Sequence, residues 1–117
     1  MNRQCILKNL AEFSKPIVEL SNDLLSLTWD YEGKPFIIHS DQVLEVLNRY
    51  VSGNLSSEEI ENWANLIECR EDMDFDKEER VTLEKIIYQL ANPVLEGEIT
   101  SDLCHEMISR VAKNANQ

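Results

Sequence analysis

From Val43 onward the apolar residues of this chain recur at steps of three and four, and residues that start or stop helices stand at the ends of each run. Val43, Leu44, Val46, Leu47, Tyr50 and Val51 lay a broad apolar stripe along a helix that Ser40 can cap. Ser52-Gly53-Asn54 stops it, because glycine enters the left-handed region after a helix without steric penalty. Ser56 and Glu59 then make a capping box. The hydroxyl accepts from the third helical amide while the carboxylate reaches back to the cap, opening a helix through Ile60, Trp63, Ala64 and Ile67 toward Arg70. Asp76 with Glu79 repeats the device before a helix whose expected core face is Val81, Leu83, Ile86, Ile87 and Leu90. Asn92-Pro93 ends that helix. Thr100 or Ser101 caps a last one, with Leu103, Met107, Ile108 and Val111 inside.

The N-terminal third is less decided. Ile6, Leu7, Leu10 and Phe13 share one face of a short helix, and Ser14-Lys15-Pro16 reads as a restart. Ile17, Leu20, Leu24 and Leu27 continue at helical steps, yet Leu25, Leu27 and Trp29 alternate with Ser26, Thr28 and Asp30 as a strand would. The segment from Asp30 to Pro35 is a turn, and Phe36-Ile37-Ile38 beyond it can pair back. The expected fold is all-α: one domain over residues 1–117, a small bundle of five or six short helices. A small β-hairpin near residues 25–38 is the alternative for that stretch. A chain of 117 residues suffices for one core and not for two. No internal repeat or low-complexity linker interrupts it.

No stretch approaches the ~20 apolar residues of a membrane span, and the first residues lack the pattern of a signal peptide. Cys5, Cys69 and Cys104 are odd in number and far apart, with no C-x-x-C spacing. They read as free thiols, and the expected location is the cytoplasm.

Charge is concentrated. Between Ser56 and Glu79 stand ten carboxylates against two bases, a local charge of −8 in a chain of −11. Such a segment attracts basic partners and repels nucleic acid and anionic membrane; a solvated helix surface that keeps a small protein soluble is the plainer account. The eleven bases form no stripe, so nucleic acid is not the expected partner. A carboxylate array can instead stand where phosphates would lie on a nucleic-acid-binding protein.

The chemical alternatives fail on spacing. Asp72, Asp74 and Asp76 have the alternation of a calcium loop, but the positions that need glycine and a bidentate glutamate hold Lys77 and Leu83. His39 and His105 have no partner spaced for a metal, and there is no phosphate loop or nucleophile motif. No enzyme, cofactor or metal is expected. Trp63 reads as a core residue. Trp29, Tyr31 and Phe36 flank the Gly33 turn, where they either anchor an interface or pack the loop. Phe75, alone among three aspartates, is either a helix-cap staple or a partner-facing anchor.

Four stretches together resemble a known group: Thr28–Gly33, Leu47–Ser56, Trp63–Asp72 and Leu90–Pro93. They are similar to the small acidic helical bacterial proteins that serve as immunity partners of polymorphic toxins, including those of contact-dependent growth inhibition. The resemblance implies a cytoplasmic, non-enzymatic protein that neutralises one cognate toxin domain, often a nuclease. Those families share no binding motif, so the candidate partner-binding residues come from charge alone: Glu68, Glu71, Asp72, Asp74, Phe75, Asp76 and Glu78. A helical adaptor or regulatory subunit without a toxin partner is the alternative. On the charge argument, reversing Asp72, Asp74 and Asp76 together should abolish protection and leave helix content intact.

Overall fold

The computed structural model describes residues 2–27 and 33–115, without the side chains of 113–115. Six helices of nine residues or more carry the fold: α1 (Arg3–Glu12), α2 (Ile17–Leu25), α3 (Ser40–Val51), α4 (Ser57–Glu68), α5 (Arg80–Ala91) and, after the one-turn α6 (Pro93–Glu96), α7 (Ser101–Ala115). Two three-residue strands join them, β1 (Phe36–Ile38) and β2 (Met73–Phe75). The mainly helical bundle is as the spacing predicts, with α6 as an added turn.

The sheet differs from the expected hairpin. Phe36, Ile37 and Ile38 pair in parallel with Met73, Asp74 and Phe75; residues 28–32, in the other arm of the expected hairpin, lie outside the described residues. Phe36 N–H donates to Asp72 O (2.8 Å) and Asp76 N–H to Ile38 O (2.9 Å), closing the ladder at both ends. Parallel strands need a long crossover, and here α3 and α4 supply it. Leu24 and Leu25 belong to α2, so the helical steps prevail over the alternation there. Trp29 and Tyr31 lie outside the described residues.

Helix ends follow local chemistry. Ser56 and Glu59 form the anticipated capping box, at 3.1 and 2.9 Å. After α3, Gly53 takes φ +85°, Gly53 N–H donates to Tyr50 O, and Asn54 N–H donates to Arg49 O. That pair of bonds closes the helix in the usual left-handed manner. Thr100 Oγ1 caps α7 through the Leu103 amide (3.1 Å). α3 opens one residue earlier than expected, on His39, whose amide donates to Gln42 Oε1 (3.0 Å).

The second expected capping box is not made. Asp76 Oδ1 accepts from Glu78 N–H (3.1 Å) and Oδ2 lies 3.0 Å from His39 Nδ1. With both oxygens engaged, Asp76 closes a turn, Glu79 stands at the cap position without a side-chain bond, and α5 begins at Arg80. Val81 is consequently not core but 81% exposed. It lies two residues, about 200° of helix, from Leu83, whose face with Ile86, Ile87 and Leu90 is buried.

The core is continuous across α1–α5 and α7, and Trp63 is among its largest fully buried side chains. α4 packs most extensively on α5, and α3 on α7. Cys104, on α7, is buried, and burial pushes its thiol up to about 11; Cys5 and Cys69 are exposed. Titration with a chromogenic disulfide at pH 8 should therefore modify two thiols at once and the third only in denaturant. Three rapid equivalents would show that α7 does not hold its place against α3.

Candidate functional site

The acidic run divides into carboxylates bound internally and carboxylates left to solvent. Asp72 is 3% exposed. Arg70 grips it with two bonds, Nε to Oδ1 (2.9 Å) and Nη2 to Oδ2 (2.6 Å), and Arg3 Nη1 donates to the same Oδ2. Burial alone would raise this carboxyl; the bonds and charges of Arg70 and then Arg3 outweigh it and hold it below the usual carboxylate range. Asp74 pairs with Arg80 (3.0 Å), and Asp76 meets His39. All three aspartates that looked like a partner-facing array thus have a side chain of this same chain on them, arginine for Asp72 and Asp74 and His39 for Asp76. Reversing Asp72 would set a third positive charge against two arginines in a buried place, so the triple reversal cannot leave the fold intact.

Glu68, Glu71 and Glu78 are exposed. Among the described residues, Glu71 and Glu78 have no cationic partner, and Glu68 accepts only from Asn92 Nδ2, at 3.3 and 3.5 Å. Of the seven candidate residues, then, three face solvent, Asp74, Phe75 and Asp76 are half-buried, and Asp72 is inside.

Three of the seven come together in one depression of about 380 Å³ where α4, β2 and α5 meet. Met73, Phe75, Ile67 and Ile87 provide its apolar surface; Glu68, Asp74 and Glu84 stand around it, with Arg70, already held by Asp72, and Tyr88. Phe75 lies in β2, so it is not the staple of a helix cap; it packs against the core and also lines this depression. Glu84 and Tyr88, one turn apart on α5, were not among the expected residues. Their only sequence signal is a position off the buried face of α5, which marks many surface residues.

A feature at the rim adds to the charge. Glu68 ends α4 and Asn92 follows the end of α5, and their side chains meet there; Asn92 Nδ2 also takes the Tyr88 carbonyl, at 2.9 Å. Two helix C-termini, each carrying partial negative charge, therefore converge beside the carboxylates.

No protein-family model matches the chain, and no curated protein or solved structure is significantly similar to it. The site is therefore described by its own geometry. Among the described residues no three His, Cys, Asp or Glu side chains converge as a metal site would require, and no helix is long and apolar enough to cross a membrane. A second depression, of about 370 Å³, lies between α2 and α4, lined chiefly by Leu24, Leu25, Leu27 and Leu66.

Proposed function

We propose that this protein binds and neutralises a basic toxin domain, as an immunity protein without catalytic activity of its own. The observation that carries the reading is the depression between α4, β2 and α5, where Phe75 shares the lining with the carboxylates of Glu68 and Glu84, neither of which has a cationic partner among the described residues. An apolar anchor site surrounded by like charge is how a protein interface obtains both affinity and a fast, steered encounter. A nuclease domain, which must present bases to a phosphate backbone, is the natural target. Glu71 and Glu78, exposed and without a cationic partner among the described residues, add to the negative charge of the protein's surface.

The test is growth of cells expressing the C-terminal domain encoded immediately upstream, with and without this protein. Selective rescue is expected. Charge reversal at Glu68, Glu71 and Glu78 together should abolish that rescue and slow association at least about tenfold, as loss of steering does. All three are exposed, so the far-UV spectrum should not change. Undiminished rescue would take this surface out of the interface.

The adaptor reading draws support from the α2–α4 groove, whose lining is aliphatic and at which Leu25 is 82% exposed. The two readings separate on ionic strength. Association through the acidic site should slow steeply between low and high salt; docking in the aliphatic groove should barely respond.

A further inference from the structure

We infer that the depression between α4, β2 and α5 takes a single arginine side chain of the partner. The inference rests on the protein-binding reading above and names the group that is recognised. An arginine has two parts, an apolar stem and a flat cation, and the depression has a place for each. Phe75, seated over the buried Met73 and Ile87, offers apolar surface to the methylenes, and Glu68 and Glu84 offer carboxylates to the guanidinium, with Asp74 beside them already on Arg80.

Three further observations favour a guanidinium. Glu84 has no cationic partner among the described residues: Arg80, one turn before it, turns instead to Asp74. The convergent ends of α4 and α5 add negative potential within a turn of Glu68. Tyr88 is 43% exposed and lines the depression, an aromatic surface on which a planar guanidinium stacks better than a compact ammonium does. Arg70 also lines the wall, but its guanidinium is turned into the bidentate pair with Asp72.

The probe is Nα-acetyl-arginine amide, read on the ¹⁵N-labelled full chain by amide chemical shifts. Saturable shifts are expected at Phe75, Glu84 and Tyr88, in the millimolar range. The citrulline analogue, which keeps the shape and loses the charge, should bind at least about tenfold more weakly, as loss of a charge-assisted pair does. Glu68→Gln with Glu84→Gln should produce the same tenfold loss, while Glu58→Gln with Glu61→Gln, elsewhere in the acidic run, should leave binding unchanged. Equal binding of citrulline, or no saturable shift at these amides, overturns the inference. An equal response to the lysine analogue overturns the guanidinium assignment. Rescue of growth by a Glu68→Gln/Glu84→Gln variant that no longer takes the arginine probe overturns the anchor and leaves immunity standing. Arginine binding in a protein that rescues nothing overturns immunity alone.

Discussion

Replacing Asp72 by alanine is expected to cost the fold about 3–5 kcal/mol, because two arginines are left facing each other in a buried place. Arg3 comes from the first turn of α1 and Arg70 from the residues that leave α4, so the carboxylate ties the N-terminal helix to the approach of β2. Urea denaturation should show the loss as a lower midpoint with little change in slope. Replacing all three groups by apolar residues of similar size (Arg3→Met, Arg70→Met, Asp72→Leu) should recover much of it, since the cost lies in the unpaired charges rather than in a net gain from the pairs. A near-neutral Asp72→Ala would show that the arginines find water when the carboxylate goes.

The same cluster sets a pH dependence. The folded-state carboxyl titrates below its ordinary value of 3.8, because Arg70 and Arg3 outweigh the effect of burial. Asp72 therefore contributes its full stabilisation above that value and loses it as pH falls through the lower folded-state value. The gap in denaturation midpoint between wild type and Asp72→Asn should be constant at neutral pH and narrow in acid below 3.8. A gap that widens in acid would contradict the assignment.

Trp63→Ala is expected to cost about 3–5 kcal/mol, the usual range for removing a buried aromatic side chain. Trp63 is fully buried, stacks on Phe13 at 6.3 Å between centroids, and donates from Nε1 to the Leu10 carbonyl at 2.7 Å. That bond meets the end of α1, where Phe13 adopts the left-handed conformation with φ +48°. A non-glycine residue holds that conformation only when its surroundings impose it. Here Trp63 covers the ring, the Arg49 guanidinium lies 5.3 Å from its centroid, and Arg49 donates to the carbonyls of Glu12 and Phe13. Trp63→Phe separates the two contributions. It keeps most of the apolar volume and removes one of the two donors to the Leu10 carbonyl, which keeps the Phe13 N–H at 3.1 Å, so the loss of that bond should cost about 0.5–1.5 kcal/mol. Equal losses in the two variants would assign the whole effect to the hydrogen bond.

The helices and most of their ends were legible in the residues, because their causes are local. Ile60, Trp63, Ala64 and Ile67 lie within two turns, and Ser56 reaches Glu59 within one, so a window of a few residues contains the whole interaction. Where the local signal was ambiguous, reading it alone misled. Asp72-Met73-Asp74-Phe75-Asp76 alternates polar and apolar as a strand does. Its middle, Met73–Phe75, forms one, although Asp76 was expected to open a helix with Glu79.

What only the tertiary structure decided depends on partners far apart in the chain. Phe36 meets Met73, Arg3 meets Asp72, His39 meets Asp76, and Glu84 faces the same depression as Glu68. A carboxylate carries no mark of whether an arginine or the solvent will face it. Charge density along the chain could therefore locate the acidic region, while the long-range packing sorted its acids into those that hold the fold and those left to solvent. Capping and periodicity act over a turn or two of backbone and are written in neighbouring residues; ion pairing and pocket formation act through space and exist only once the chain has folded.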